Sequence, residues 1–249
     1  DKAVVACKAG YNDDPHHGHL DCGQITIHWR DQEYICDTTP ALYDHIYFLE
    51  ERWSYPQASS AGHNVVFVNG EEQIPAKLKD QPWKEGIGGQ ILEFRPGENR
   101  DYTLMDPSGA YPGKELKGWR RHIIYQKPAI TVIVDEVKSA KDAEIETRFH
   151  SHCDTDVRDG FVLINGDKGS MALIPNTDGD YSIREGKHPY LPVKRDAGFQ
   201  WISYFGMISK ADSGYTVIVT LILPIDNENE AERVMRTIKR SKDSSGNLS

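Results

Sequence analysis

Short runs of β-branched and aromatic residues recur along most of the chain, and turn residues separate them. The turns include dipeptides such as Asn69-Gly70 and Asp178-Gly179, and apolar residues at helical spacing are nearly absent before residue 226. Many short strands joined by tight turns are typical of antiparallel sheets, whereas a parallel α/β sheet needs long crossover helices. The sequence therefore predicts an all-β fold, a large two-sheet antiparallel β-sandwich.

The predicted strands belong to one domain over residues 1–225, since no internal repeat or low-complexity block marks a second one. A domain of this length is ordinary for an all-β sandwich. In chain order, the predicted strands are Ala3–Lys8, Gln24–Arg30, Tyr34–Asp37, Asn64–Asn69, Gln90–Phe94, Tyr102–Met105, Arg120–Tyr125, Ile130–Val134, Glu144–His150, Val162–Ile164, Ser170–Ile174, Tyr181–Arg184, Phe199–Met207 and Tyr215–Leu223.

The C-terminal segment, residues 226–249, has a different pattern. Apolar residues repeat there at helical spacing behind the capping candidates Asn227 and Asn229, so we expect a short helix. The final residues, 241–249, are small and polar and are expected to be frayed. The apolar residues of the expected helix are Ala231, Val234, Met235 and Ile238.

Charge and hydropathy exclude several classes of function. The 249 residues carry 29 Lys and Arg against 38 Asp and Glu, a net charge of −9. With no dense basic cluster, this balance argues against a general nucleic-acid binder. There is no apolar run long enough for a membrane span, and the first residues lack the layout of a signal peptide. Because the chain opens directly on an apolar run without Met, we expect a processed product or a piece of a longer protein.

The four cysteines are widely separated in the sequence, and none forms a C-x-x-C pair. This spacing does not indicate a Cys-rich zinc site. Cys22 and Cys36 could form a disulfide across neighbouring strands in an oxidising compartment, but buried free thiols are the favoured interpretation.

The densest chemical signal is the segment from Asn12 to Asp21, which places three histidines beside three carboxylates. Imidazole and carboxylate are ligands that zinc and similar divalent ions accept. A predicted hairpin would return Asp37 to the neighbourhood of His19, and His63 stands at a later strand boundary. One ligand from each of three segments would leave a fourth tetrahedral position for water.

Other interpretations of this cluster stay open at this point. An isolated histidine is usually a hydrogen-bonded surface or core residue, and an acidic stretch with proline is often a solvated turn. A cupin-type metal pattern fails, because no Glu follows the H-x-H run. The facial triad of non-haem iron oxygenases, H-x-D with a distant His, is formally met by His19, Asp21 and His63. It remains the alternative enzyme class, although no Arg stands about ten residues after His63.

Two motifs make the chain resemble the C-terminal β-sandwich of heparinase II/III-like polysaccharide lyases. The first is the H-x-H-x-D-x-G run over residues 17–23, followed by an apolar strand and Asp37. The second is the H-N-x-V-x-V-(D/N)-G-x-x-Q signature over residues 63–73. A weaker echo is Arg120-Arg121-His122 before a strand that ends at Asp135. The resemblance covers most of residues 1–150 and is most specific in the first 73.

The resemblance implies roles for particular residues. A metal, commonly zinc, would be held by His19, Asp37 and His63, and His17 would face the substrate. Tyr43 matches a family tyrosine six residues after the aspartate and is a candidate catalytic or substrate-contacting residue, against which Tyr47 and Tyr55 are not ranked. The family often carries an Arg shortly before the H-N pair. The nearest upstream is Arg52, the candidate substrate-binding cation, and Tyr55 is a candidate sugar-stacking ring.

The activity implied by the resemblance is β-elimination at a uronic acid of an anionic polysaccharide, such as heparan sulfate or alginate. In such lyases an N-terminal α/α toroid supplies a catalytic tyrosine, and we expect the toroid in the same precursor or a partner chain, with a periplasmic or secreted bacterial-type protein. The runner-up is a non-catalytic carbohydrate-binding or structural sandwich with a structural zinc. The iron oxygenase is third.

Overall fold

The computed structural model describes residues 2–12, 17–38, 45–76, 85–190, 198 and 200–245. It confirms the predicted all-β sandwich. Every predicted strand is present, and most run a few residues longer than predicted. Sequence analysis missed one strand, Asp154–Arg158, whose residues are mostly polar. The strands are β1 Ala3–Lys8, β2 Gln24–Trp29, β3 Gln32–Ile35, β4 Val66–Val68, β5 Gln90–Arg95, β6 Arg100–Asp106, β7 Gly118–Gln126, β8 Ile130–Lys138, β9 Ala143–Ser151, β10 Asp154–Arg158, β11 Phe161–Gly166, β12 Gly169–Thr177, β13 Tyr181–Tyr190, β14 Gln200–Ala211 and β15 Tyr215–Ile225.

Hydrogen bonding divides these strands into three antiparallel sheets. A large sheet has the order β10-β11-β12-β15-β8-β7-β6-β5, a four-stranded sheet has the order β13-β14-β9-β4, and a small sheet has the order β1-β2-β3. Side chains from all three sheets meet in one buried core, which includes Ile27, Trp119, Ile133, Phe149 and Phe205. Burial of these apolar side chains supplies most of the stabilisation of such a sandwich.

The predicted hairpin between β2 and β3 is present and determines where Asp37 lies. Ile27 pairs with Ile35, and the turn residues Arg30 and Asp31 both adopt positive φ, as tight hairpin turns require. Because β3 runs back along β2, Asp37 returns to the end of the small sheet where the loop 9–23 enters β2. The hairpin therefore brings two candidate ligand segments to one place.

The C-terminal helix, α1, spans Glu228–Ser245 and packs on the outside of the large sheet. At its N-terminus the backbone N–H of Glu230 donates to the Asn227 side chain, and the Glu230 carboxylate accepts from the N–H of Asp226. Ala231 is fully buried against β11, β12 and β15. The helix is longer than predicted, because it continues through part of the segment 241–249.

Shorter elements complete the described chain. Four 3₁₀ segments lie in the loops, Ile46–Phe48, Glu50–Ser54, Ser60–Gly62 and Ser108–Ala110. The four cysteines are free thiols, as favoured, and Cys22 and Cys36 are buried. Among the described residues, no helix combines the length and the apolar character that crossing a membrane would need.

Candidate metal centre

Three loops converge at the end of the small sheet. His19 and Asp21 lie in the loop between β1 and β2, and Asp37 follows β3. His63 ends the short 3₁₀ turn before β4. The predicted approach of these segments is therefore present in the fold.

His19, Asp21 and His63 form the tight cluster at the centre. One ligand-type atom from each lies within 4.8 Å of the others, and the two imidazole rings are 5.2 Å apart and tilted by 30°. The His63 ring is completely buried, and its Nε2 atom has no hydrogen-bond partner among the residues that the structure describes. A buried ring nitrogen without a partner is costly unless something binds it. The donor set and this nitrogen fit a divalent ion such as zinc.

Asp37 is joined to the cluster through His63. Its Oδ1 atom lies 2.6 Å from Nδ1 of His63. Burial raises the pKa of Asp37, but the charge and hydrogen bond of His63 outweigh it, so the pKa is lowered. For His63, burial lowers the pKa, and the charge and hydrogen bond of Asp37 reverse this, so the pKa is raised. The pair therefore holds an anionic carboxylate against an oriented imidazole.

His19 is held in its neutral form. Burial, and after it the neighbouring His63, lowers the pKa of His19 to about 4. A neutral imidazole is the form that binds a metal ion. The Nε2 atom of His19 lies 3.0 Å from the hydroxyl of Tyr47, which is completely buried. Tyr47 therefore orients this ring.

Asp21 has a different partner from Asp37. The ammonium of Lys8 donates to Oδ2 of Asp21 at 2.7 Å. Asp21 is only 4% exposed, whereas half of the Lys8 side chain faces solvent. The negative charge of Asp21 is therefore already balanced by a strand β1 residue.

Asn64 and Gln73, the polar ends of the second motif, lock the loops of the centre together. The Asn64 side-chain amide donates to the carbonyls of Ile25 and Cys36, at 2.7 and 2.8 Å, and its oxygen accepts from the backbone of His150. Gln73 donates to the carbonyl of Cys22 and accepts from the Cys22 N–H. The second motif therefore contains structural residues, Asn64 and Gln73, in addition to the candidate ligand His63.

A buried ion pair of the large sheet contacts the loops of the centre. Arg121 and Asp135 are both fully buried, with Nε to Oδ1 at 2.7 Å and Nη2 to Oδ2 at 2.9 Å. The Arg121 Nη1 atom donates to the carbonyls of Gly23 and Asn64. The weak sequence similarity around residues 120–135 therefore corresponds to a buried ion pair that links the large sheet to the loops of the centre.

The remaining predicted site residues lie in different environments. His17 is exposed, and its ring contacts that of Phe48 at 5.9 Å. Arg52 is only 1% exposed and donates to the carbonyl of Gly18, which supports a role in holding the histidine loop more directly than a substrate contact. Tyr55 is half-buried against Tyr47. Tyr43 falls outside the described residues.

The sequence does not identify two residues of the centre. It does not distinguish Tyr47 from the other candidate tyrosines, and it makes Asp21 a candidate metal ligand only in the oxygenase alternative. The H-x-H-x-D run was the available signal for Asp21, whose carboxylate lies in the tight cluster. No spacing rule distinguishes Tyr47, because its contact with His19 depends on the folding of the loop after β3.

Comparisons with known proteins extend the picture. Residues 1–220 match the family model described as Heparinase II/III-like, C-terminal. A heparinase III structure with methylated lysines superposes with a TM-score of 0.73 at 16% identity, over 92% of this chain and 33% of that one. A heparan sulfate lyase from Pedobacter heparinus gives 0.72 at 14% identity, over 91% and 33%.

These comparisons also show how much of its structural relatives the chain covers. It spans about a third of the length of those two structures. No curated protein matches it significantly in sequence. At these identities the superpositions show the fold, whereas the match of the family model covers most of the chain. The chain belongs to the heparinase II/III-like C-terminal family.

Proposed function

We propose that the chain is the metal-holding β-sandwich of a lyase that cleaves uronate-containing polysaccharide by β-elimination. The observation that carries this proposal is the convergence of His19, Asp37 and His63 at one end of the small sheet, two residues along the chain from the exposed His17. Solved structures that share this fold include a heparinase III and a heparan sulfate lyase, which supports an acidic polysaccharide as substrate class.

A zinc ion would be held by His19, Asp37 and His63. The unpartnered Nε2 of His63 and the neutral imidazole of His19 support this set. The family resemblance assigns the carboxylate ligand to Asp37, and Asp21, whose carboxylate lies in the tight cluster and is paired with Lys8, is the alternative ligand. When bound, zinc would supply positive charge that holds the three loops together. We assign it a structural role because β-elimination needs no metal-activated nucleophile.

The reaction requires removal of a weakly acidic C5 proton and protonation of the departing O4 oxygen. We assign a proton transfer to His17, because it is exposed and lies two residues from His19 in the sequence. Phe48 contacts its ring, and Arg52 anchors the carbonyl of Gly18 between the two histidines. His17 therefore faces solvent, whereas His19 is half-buried and His63 is fully buried.

The second proton carrier would come from elsewhere. Tyr43 is the candidate within this chain, and the family's catalytic tyrosine belongs to an α/α toroid. We propose that such a domain, in the same precursor or in a partner chain, completes the site. The lyase would be periplasmic or secreted, where its polysaccharide substrate occurs.

A non-catalytic sandwich is the second candidate. The observation that favours it is that Asp37, Asn64 and Arg52 direct their polar atoms to other residues of the same loops. Such a centre could serve stability alone. The two candidates differ in what His17 does, because a structural centre has no need of an exposed imidazole.

The test is formation of unsaturated uronate, followed by ultraviolet absorbance, with heparan sulfate and alginate. The enzyme is the toroid-containing protein, compared with its His17→Ala variant. Product formation that depends on His17 supports the lyase. Absence of product with every uronate polysaccharide, from a protein that binds these chains, would leave the non-catalytic sandwich.

A further inference from the structure

A shallow groove crosses the outer face of the large sheet, on the side of β7 away from the core. One part, of about 530 Å³, lies over β6, β7, β8 and β15. A second part, of about 360 Å³, extends toward Tyr11 and Gly88. Asp106 and Ser108 line both parts, so the two parts adjoin there. The metal centre does not account for it.

Gly118 lines the groove and adds no side chain to it. In the strand register Gly118 faces Lys138, and Lys138 faces Tyr215 on the next strand. A Cβ atom at Gly118 would lie 3.6 Å from the Lys138 side chain, at ordinary contact distance. The absence of a side chain therefore leaves open space beside the stem of Lys138.

The floor of the groove is fixed before any ligand arrives. The backbone N–H of Trp119 donates to the Ser108 hydroxyl at 2.7 Å, and the N–H of Ser108 donates to the Asp106 carboxylate at 3.1 Å. Trp119 itself is only 1% exposed, and its ring packs on the core side against Gly23. A preformed site loses little conformational entropy when it binds.

The charges of the groove are unlike those of the whole chain. Lys117, Arg120 and Lys138 line it, in a protein of net charge −9. The Asp106 carboxylate is paired with Arg120 at 3.3 Å, and Glu136 lies 3.6 Å from His122. Within the described part of the chain, no carboxylate forms an ion pair with Lys117 or Lys138. The Lys117 ammonium donates to the carbonyl of Lys114 at 2.9 Å, which uses one of its three N–H groups. Both lysines therefore keep positive charge and N–H groups that can bind an anion.

Exposed tyrosines flank these cations. Tyr215 is 38% exposed beside Lys138, and Tyr11 is 65% exposed at the far end. An exposed aromatic ring offers an apolar face on which a sugar ring can stack, and its hydroxyl remains in water. Aromatic and cationic groups spaced along a groove suit an extended acidic sugar chain better than a compact anion.

We propose that this groove is a second polysaccharide-binding site, separate from the metal centre. It binds a stretch of uronate- or sulfate-bearing sugar, with the acidic groups on Lys117 and Lys138 and a sugar ring on Tyr215. The choice of an acidic polysaccharide rests on the proposed function. The site would hold the polymer near the lyase without taking part in the elimination.

The experiment is titration calorimetry of the 249-residue chain with a heparan sulfate octasaccharide, in a His17→Ala background. We expect the Lys117→Ala/Lys138→Ala double variant to weaken binding about tenfold, the sum of two partly exposed charge contacts. Gly118→Val, which fills the groove without changing its charge, is expected to weaken binding similarly. Lys210→Ala, an exposed lysine on β14, is the matched control and is expected to bind like the parent.

Each outcome bears on the proposal. Unchanged binding in both groove variants would overturn it, as would equal affinity for neutral cellohexaose or for inorganic sulfate alone. Circular dichroism of each variant verifies the fold. The lyase assay on the toroid-containing protein is separate. If the protein makes no unsaturated product but binds through Lys117 and Lys138, the proposed activity is wrong and the groove proposal stands. If the protein cleaves polysaccharide but the groove variants bind as tightly as the parent, only the groove proposal is wrong.

Discussion

The Nδ1 atom of His63 lies 2.6 Å from Oδ1 of Asp37, and Nε2 of the same buried ring has no hydrogen-bond partner within the described part of the chain. A carboxylate that holds one imidazole nitrogen and leaves the other free is the arrangement by which proteins orient histidine ligands. His19, whose ring centre is 5.2 Å away, supplies a second imidazole. This relationship makes the site testable with metal analysis before any assay of activity.

The protein is expected to contain about one zinc ion per chain, with nitrogen and oxygen ligands. Elemental analysis of protein purified without chelators checks this. His63→Ala should abolish the zinc content, and His28→Ala, an exposed histidine paired with Glu33, is the control and should retain it. Stoichiometric, redox-active iron in place of zinc would favour the oxygenase alternative. No metal of any kind would contradict both metal interpretations.

The two carboxylates of the centre are expected to differ. Asp37→Asn should lose zinc and lower the melting temperature by roughly 5 °C or more, because a bound ion stabilises only the folded state. Asp21→Asn should keep zinc, since the proposed ligand set is His19, Asp37 and His63 and the Asp21 carboxylate is held by Lys8. Metal content and thermal unfolding of both variants are the measurements. Zinc lost from Asp21→Asn and kept by Asp37→Asn would assign the ligand to Asp21.

His17→Ala in the toroid-containing protein is expected to reduce unsaturated-product formation by roughly 10² or more, the usual effect of losing a general acid or base. Metal content should stay normal, because His17 is exposed and lies outside the tight cluster. His28→Ala is again the control. Full activity of the His17 variant would give this residue a structural role.

The sequence was sufficient to predict the strands because their signal is local. Apolar and β-branched runs such as Ala3–Lys8 need only their own residues and the turns beside them. Asp154–Arg158 was missed because it is a mostly polar edge strand that pairs only with β11. The sequence predicted two sheets and did not reveal the division into three, because this division depends on which distant strands share hydrogen bonds.

The candidate centre was predicted in part, for a similar reason. The hairpin geometry brought Asp37 toward His19, because the register of β2 and β3 follows from a short turn. The burial of Arg52 and the contact of Tyr47 with His19 depend on how the loop over residues 45–62 folds back. No periodicity in the sequence records such a loop, so these two roles came only from the structure.

The stability of the metal-free protein is expected to fall between pH 6.5 and about 4, in part through His188. Burial lowers the pKa of His188 to about 4, and Arg148 acts in the same direction. In this pH range the unfolded chain binds a proton at His188 that the folded protein does not, so stability is full above pH 6.5 and decreases as the pH falls. His188→Gln should lose less stability over this range than the parent.

Thermal unfolding across the pH range measures the effect. His28→Gln, at the exposed histidine beside Glu33, is the control and should follow the parent. Parallel curves for the parent and His188→Gln would mean that the pKa of His188 is not lowered by folding.

The 249-residue chain alone is expected to fold but not to cleave polysaccharide. Folding is expected because its three sheets enclose one apolar core. Cleavage is not expected, because elimination needs a base and a leaving-group acid placed around one C5–O4 unit, and we assign one of them to the toroid. The net charge of −9 also repels a polyanion over long range, most strongly at low salt.

The assay compares this chain with the toroid-containing protein, using heparan sulfate and alginate and following absorbance of the unsaturated uronate. The expected result is product from the longer protein alone. Robust activity of the 249-residue chain would place both proton carriers within it, and the transfers would then be assigned to His17 together with Tyr43, Tyr47 or Tyr55. Tyr47 would require a rearrangement for that role, because its hydroxyl is buried against His19.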